Sequence, residues 1–198
     1  MSIQAVIWDF GGVLVRTADQ SRRRALAADL GLTLDELSAR VFDGEKRLKA
    51  QLGHIDGEQH LQSVAAEFGM SRDALEANFF ADDRLDQVLM DYIRALRPRY
   101  KTGLLSNAMS TLRTLITERY PIADAFDAVV ISAEVGVMKP DARIYQLALD
   151  ALEVQAGEAV FIDDFVENVE GARDAGLQAI HFRSRQQALD ELSALLPA

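Results

Sequence analysis

The sequence predicts an α/β protein: one parallel β-sheet covered by helices, with a block of helices inserted after the first strand. Three observations carry this. The chain opens on a short apolar run over residues 3–8 that stops at Asp9. Four similar runs recur only after residue 100, without polar alternation, as suits strands buried on both faces. Helical periodicity fills the gaps between those later runs, and strand–helix alternation argues for a parallel sheet.

The first run, Ile3-Gln4-Ala5-Val6-Ile7-Trp8-Asp9, leads into Phe10-Gly11-Gly12, a strand ending in a tight loop. From 17 to 97 no strand is expected. Thr33 with Glu36 makes a capping-box pattern ahead of Leu37 and Val41. Leu61, Val64, Ala65 and Phe68 share one helical face; Leu85, Val88, Leu89, Tyr92, Ile93 and Leu96 share another. The later strands are read at 102–105, 128–131, 159–162 and 178–182. Leu112, Leu115 and Ile116 begin a helical face that Arg119 ends. Asp141 after Pro140 starts a helix with Ile144, Leu147, Ala148, Ala151 and Leu152 on one stripe. Val166, Val169 and Ala172 precede Gly176, a helix stop, and Leu189 to Leu196 close the chain. The expected organisation is a core of residues 1–16 and 98–198 with a helical insertion over 17–97.

The chain of 198 residues, 49% hydrophobic and 26% charged, is globular and large enough to bury a core without staples. Its 31 acidic against 21 basic residues give a net charge of −10, which disfavours nucleic acid and anionic lipid. Arg22-Arg23-Arg24 is its dense basic cluster and reads as a solvated helix face. The absence of cysteine excludes disulfides, thiolate metal sites and a cysteine nucleophile. No uncharged apolar run reaches the ~20 residues that span a bilayer, and the first 15 residues lack a signal-peptide pattern. The expectation is a cytoplasmic monomer or homodimer that acts on a small molecule, with no nucleic-acid or membrane partner.

In a parallel sheet, ligands bind beyond the carboxyl ends of the strands. The polar residues there are Asp9, Ser106-Asn107, Ser132 and Glu134 before Lys139-Pro140, and Asp163-Asp164. Singly, most have a plain structural explanation, such as a turn cap, a helix N-cap or a surface lysine. The adjacent Asp163 and Asp164 repel each other unless a cation or helix N-terminus compensates. Together, three carboxylates, a hydroxyl and a lysine make the inventory of a phosphoryl-transfer site. The carboxylates suit Mg²⁺, the lysine balances charge, the serine bonds a phosphoryl oxygen, and one aspartate attacks.

Asp9-Phe10-Gly11-Gly12-Val13, Leu104-Leu105-Ser106-Asn107, Lys139-Pro140-Asp141 and Phe161-Ile162-Asp163-Asp164 occur in that order. With them the chain resembles, over its whole length, the haloacid dehalogenase-like hydrolase superfamily. The resemblance implies a Rossmann-like core of strand order 5-4-1-2-3 and a small four-helix-like cap over 17–97. It implies a Mg²⁺-dependent phosphatase of a small phosphorylated metabolite, working through an aspartyl-phosphate. By the same resemblance Asp9 is the nucleophile and Ser106, Asn107 and Gly12 lie at the phosphate or substrate. Lys139 steadies the negative charge. Asp9, the Gly11 carbonyl, Asp163 and Asp164 form the Mg²⁺ site, with Asp164 the direct ligand.

One position departs from the family pattern. Its phosphatases usually carry a second aspartate two residues after the nucleophile, as acid and base; here that residue is Gly11. Losing such a group costs ~10²–10⁴-fold. The expectation is a reliance on leaving groups that need little protonation, or an acid borrowed from the cap, for which Asp19 and Glu45 are candidates. The departure leaves two alternatives open: a 2-haloacid dehalogenase, and a catalytically weak protein whose acidic rim binds a partner. A dehalogenase usually has tyrosine at the position of Gly11 and needs no metal. A receiver-type signalling domain shares the inventory but has no place for the helical insertion. His54, His60, His181 and Trp8 read as packing residues.

Overall fold

In the computed structural model, which describes residues 2–196, the first apolar run forms β1 (Ala5–Trp8), buried along its whole length. A short strand β2 (Val15–Thr17) follows the glycine loop. Then come the helices α1 (Ser21–Asp29), α2 (Leu34–Phe42), α3 (Glu45–Gln51), α4 (Gly57–Glu67) and α5 (Arg72–Leu75), the last running into a π-helical turn over Glu76–Phe80. The capping box at the start of α2 is formed as its sequence suggests: Thr33 Oγ1 accepts from the Glu36 N–H, and the Glu36 carboxylate accepts from the Thr33 N–H. The chain returns through β3 (Asp83–Leu85) and α6 (Gln87–Leu96).

From there strand and helix alternate. β4 (Lys101–Ser106) leads to α7 (Thr111–Thr114) with a π-helical turn over Leu115–Arg119, and β5 (Ala128–Ile131) to α8 (Ser132–Val135) and α9 (Ala142–Leu152). β6 (Ala159–Asp163), α10 (Val166–Asp174), β7 (Gln178–His181) and α11 (Arg185–Leu195) complete the chain. The main sheet has the order β5-β4-β1-β6-β7, and all its pairings are parallel. Counting its five strands along the chain, that is 3-2-1-4-5, or 5-4-1-2-3 from the other edge. β1 is central, so Asp9 emerges between the ends of β4 and β6.

Apolar clusters cover both sheet faces. One gathers Trp8, Leu104, Ile116, Ile162 and Ile180; the other gathers Ile7, Leu105, Ile144, Tyr145 and Phe161. A third cluster belongs to the helical block alone: Leu26, Leu37, Val41, Val64, Leu75 and Phe79.

Besides Arg23, which is buried where the basic cluster reads as a solvated helix face, three sequence expectations differ from the structure. A strand occurs in the stretch expected to hold none: β3 lies within it and pairs antiparallel with β2, which ends at the first residue of that stretch, Val15 with Leu85 and Thr17 with Asp83. Each has three residues, too short for alternation to register, and the spacing of Leu85 groups it with the apolar face of the following helix. The Thr17 hydroxyl donates to Asp83 Oδ1 at 2.7 Å, fastening the ribbon where the helical block leaves and rejoins the sheet. Second, the packing boundary is not at residue 97. Leu89, Met90, Ile93 and Leu96 of α6 are buried in the sheet's own cluster, so the independent helical core ends before β3. Third, the block holds five helices and a π-helical turn rather than four helices. Among the described residues no helix is long and apolar enough to cross a membrane.

Candidate active site

The four sequence motifs meet at the carboxyl ends of β1, β4 and β6. Asp9 follows β1 and is buried. Lys139, on the loop between α8 and α9, is also buried, with Nζ 2.9 Å from Asp9 Oδ1 and 2.6 Å from Asp163 Oδ2. It donates as well to the Leu105 carbonyl at 3.1 Å. Burial alone would lower the Lys139 pKa, but Asp9 and Asp163 outweigh it and raise the net value, so the ammonium is held charged.

The two adjacent carboxylates play different parts. Asp163 is fully buried and its oxygens are taken: Oδ1 accepts from the Phe165 N–H at 2.7 Å, and Asn168 Nδ2 reaches both oxygens at 3.1 Å. With Lys139 on Oδ2, Asp163 is anchored inward. Asp164 is half-exposed, yet its Oδ1 is buried and receives no hydrogen bond. Asp9 Oδ1 is also buried, with the Lys139 ammonium 2.9 Å away as its partner. Burial pushes Asp9 up to about 6, with Lys139 opposing and Asp163 adding to the rise. Burial and the neighbouring Asp163 also raise Asp164. One oxygen from each of Asp9, Asp163 and Asp164 falls within 4.8 Å of the others. The buried, unpartnered oxygen of Asp164, in an all-oxygen set with Asp9 and Asp163, suits a hard divalent cation.

Ser106 ends β4, the strand paired with β1, and is buried. Asn107 is committed elsewhere: its Nδ2 donates to the Lys139 carbonyl at 2.9 Å and its Oδ1 accepts from the Lys139 N–H at 2.8 Å. Asn107 thus clamps both backbone polar groups of Lys139, the residue that a cis bond joins to Pro140. Gly12 has φ +77°, and a Cβ there would lie 2.0 Å from Asp164 Oδ2. Gly11 is exposed, lies outside the left-handed region, and has nothing within 4 Å of an added Cβ.

A cavity of about 630 Å³ opens between the helical block and the sheet, reaching the loop after Asp9 at Phe10, Gly11 and Gly12. The carboxylates themselves lie just beyond its walls. Asp19 and Glu45, the acids that the sequence offers as a substitute, do not line it. Asp19 caps its own turn through Ser21, and Glu45 pairs with Lys49 at 2.6 Å. The cavity's acids are instead Glu58, Glu76, Asp83 and Glu118.

Other supporting residues carry no sequence signal. Asn168 sits five residues past Asp163, on the first turn of α10, with no motif to mark it. Gln51 at the end of α3 donates to the Asn107 carbonyl at 2.9 Å, and its own carbonyl accepts from Ser132 Oγ at 2.7 Å, tying the helical block to the site. His181, read as a packing residue, has Nε2 3.0 Å from the Asp164 carbonyl. His60 is buried in α4 and His54 is exposed.

Comparison with known proteins agrees with this architecture. A phosphatase of Mycobacterium tuberculosis is 31% identical over 202 residues, covering 90% of this chain and 87% of that protein. The bifunctional epoxide hydrolase 2 of Mus musculus is 39% identical over 216 residues, covering 97% of this chain and 38% of that protein. The rat form is matched over 13% of its length, so this chain spans a minor part of those relatives. A HAD family enzyme of Bacteroides thetaiotaomicron, solved with magnesium and inorganic phosphate, has a TM-score of 0.77 at 21% identity, covering 93% of this chain and 96% of that one. That last likeness concerns the fold. The model of the haloacid dehalogenase-like hydrolases matches residues 3–176, motifs and helical insertion included, and the chain belongs to that family.

Proposed function

We propose that this hydrolase is a Mg²⁺-dependent phosphatase that works through an aspartyl-phosphate on Asp9, with the helical block between β2 and β3 as its cap. The observation that carries the reading is the placement of Asp9: a buried carboxylate at the end of the central strand, 2.9 Å from Lys139 and grouped with Asp164. The named phosphatases among its relatives, from Mycobacterium tuberculosis and a D-ribitol-5-phosphate phosphatase of Bacteroides thetaiotaomicron, support the same class.

In this mechanism an Asp9 oxygen attacks phosphorus, and the ester P–O bond breaks with its electron pair passing to the departing oxygen. Water then attacks the phosphorus of the aspartyl-phosphate, and the bond to Asp9 breaks with its pair returning to the carboxylate. Water's hydroxyl ends on phosphate and its proton on the alcohol. Lys139 keeps a fixed positive charge beside the transferred group, and Ser106 donates to a phosphoryl oxygen. Asp164, Asp9 and the Gly11 carbonyl would hold Mg²⁺, while Asp163 sets the position of Lys139. The ion, when bound, offsets phosphoryl charge.

The test is release of p-nitrophenol from p-nitrophenyl phosphate. Turnover stops with EDTA, returns with Mg²⁺, and is absent in a folded Asp9→Asn protein, whose amide is not an anionic nucleophile. Full turnover in that variant removes the reading. Metal-independent chloride release from chloroacetate, without phosphatase activity, replaces it with the dehalogenase.

A further inference from the structure

The cavity beside the nucleophile loop is far larger than a phosphoryl group, and its volume of about 630 Å³ suits a ligand of substantial size. Its wall is rich in apolar groups: Phe10, Phe42, Leu61, Phe80, Leu115 and Tyr120. The rings stand near one another in pairs, Phe10 with Tyr120 at 6.5 Å and Phe42 with Phe80 at 6.1 Å, both inclined.

The cavity also has four arginines, which would suit a second anionic group on the substrate, but each already holds at least one partner, the buried Nε of Arg72 being left without one. Arg16 bonds Asp86 and the Val13 carbonyl. Arg23 donates to the Phe79 carbonyl at 2.7 Å and Asp83 at 2.8 Å, and lies over the Phe79 ring. Arg72 holds Glu58 at 3.0 Å and Glu76 at 2.9 Å. Arg119 donates to the Phe80 carbonyl at 3.2 Å and lies over Tyr120. These pairings also occupy Glu58, Glu76 and Asp83, acids that would otherwise accept hydroxyl groups of a sugar or polyol. Taking such groups for a polar ligand would strand their present partners.

An independent observation concerns the departing oxygen. At residue 11, which lines the same cavity, there is no side chain to protonate it. With Glu118 the cavity acid not taken by an arginine, the missing side chain at residue 11 favours a leaving group that tolerates departure as an anion, as a phenolate does and an alkoxide does not.

From the aromatic wall, the self-paired charges and the missing acid together, we infer that the substrate is an aryl phosphate with an extended apolar ring system, cleaved to the free phenol and phosphate. This rests on the phosphatase reading and names the substrate class for that site.

The test measures kcat/KM with Mg²⁺ for 1-naphthyl, phenyl and decyl phosphates and glucose 6-phosphate, with acetyl phosphate as a substrate that has no apolar body. The expected order is naphthyl above phenyl by about tenfold, with decyl phosphate and glucose 6-phosphate below both. In Leu61→Asn and, separately, in Phe80→Ala, the naphthyl-to-phenyl ratio falls toward one. Glucose 6-phosphate or decyl phosphate outrunning naphthyl phosphate overturns the inference, as does an unchanged ratio in both folded variants. Turnover of acetyl phosphate without turnover of the aryl esters overturns it while leaving the phosphatase reading intact. Failure on every ester and on acetyl phosphate overturns both.

Discussion

Gly12 and Asp164 share a space that no side chain at position 12 can enter: a Cβ there would lie 2.0 Å from Asp164 Oδ2. The backbone adds a second demand, since φ is +77° at Gly12 and L-residues pay roughly 1–2 kcal/mol for the left-handed region. Asp164 is the carboxylate whose buried oxygen lacks a hydrogen bond, so displacing it acts on the proposed cation site directly. We expect Gly12→Ala to weaken Mg²⁺ binding by about 10–100-fold, the scale of disturbed support around metal ligands. Gly11→Ala, with open space and no left-handed backbone, keeps affinity within about twofold. Titration calorimetry of the two variants reads the contrast; equal affinities would show that Asp164 does not depend on the glycine.

The sheet is the most legible part of the sequence. The later strands expected at 102–105, 128–131, 159–162 and 178–182 fall within one residue of those observed, because strands buried on both faces read as unbroken apolar runs. The placement of the candidate residues is readable for a related reason: in a parallel sheet every strand ends on the same rim, so Asp9, Ser106 and Asp163 lie along it. What is not legible depends on pairing between remote segments. β2 and β3 take three residues each from positions 15–17 and 83–85, and nothing local announces their meeting. Likewise α6 is an ordinary amphipathic helix whose sequence does not say which of two cores it serves. The resemblance names Asp164 rather than Asp163 as the direct ligand, but the contacts that hold Asp163 inward, from Asn168 and the Phe165 N–H, are ones that no carboxylate spacing reveals.

Lys139 is held between two buried carboxylates, so removing it leaves more than a missing contact. Lys139→Met strands Asp163 and Asp9 without their counter-ion, and breaking a buried pair in this way costs about 3–5 kcal/mol. We expect a marked fall in the urea midpoint together with loss of turnover. Asp163→Asn in the same background recovers part of the stability but none of the activity, since the charge beside the transferred phosphoryl group is still absent. A Lys139→Met protein as stable as the parent would mean that the pair adds nothing to the fold.

Metal binding should depend on pH in a defined sense. Burial holds Asp9 at about 6 in the metal-free protein, and Asp164 is also raised. A cation needs the deprotonated carboxylate, so below about pH 6 it must displace a proton. Affinity is therefore near its plateau at pH 7 and falls on acidification, by about tenfold per pH unit for each proton displaced. The same shifts, taken alone, make the metal-free protein lose stability as pH rises from near 4 through 6, because the native state holds the protons more tightly. Mg²⁺ titrations at pH 7 and pH 5 check the first statement; a flat affinity would place Asp9 outside the cation site.

Gly11 offers a gain-of-function test of the missing acid. The benefit of protonating a departing oxygen grows with its basicity, so the wild-type rate should fall steeply as the leaving-group pKa rises. Gly11→Asp places a carboxyl two residues past Asp9, the proposed nucleophile, at a position with no steric obstacle and no left-handed backbone. If that carboxyl serves as the acid, it supplies up to ~10²-fold for alkyl phosphates and far less for p-nitrophenyl phosphate, whose phenolate leaves unaided. The leaving-group plot for the variant is therefore shallower than for wild type. The acids that line the cavity in the parent do not replace it in this scheme, because Glu58 and Glu76 are bound to Arg72 and Asp83 to Arg23. Glu118, exposed on the cavity wall, is the remaining competitor. A wild-type plot that is already flat under conditions where chemistry limits the rate, and that steepens in Glu118→Gln, would assign the proton to Glu118 instead.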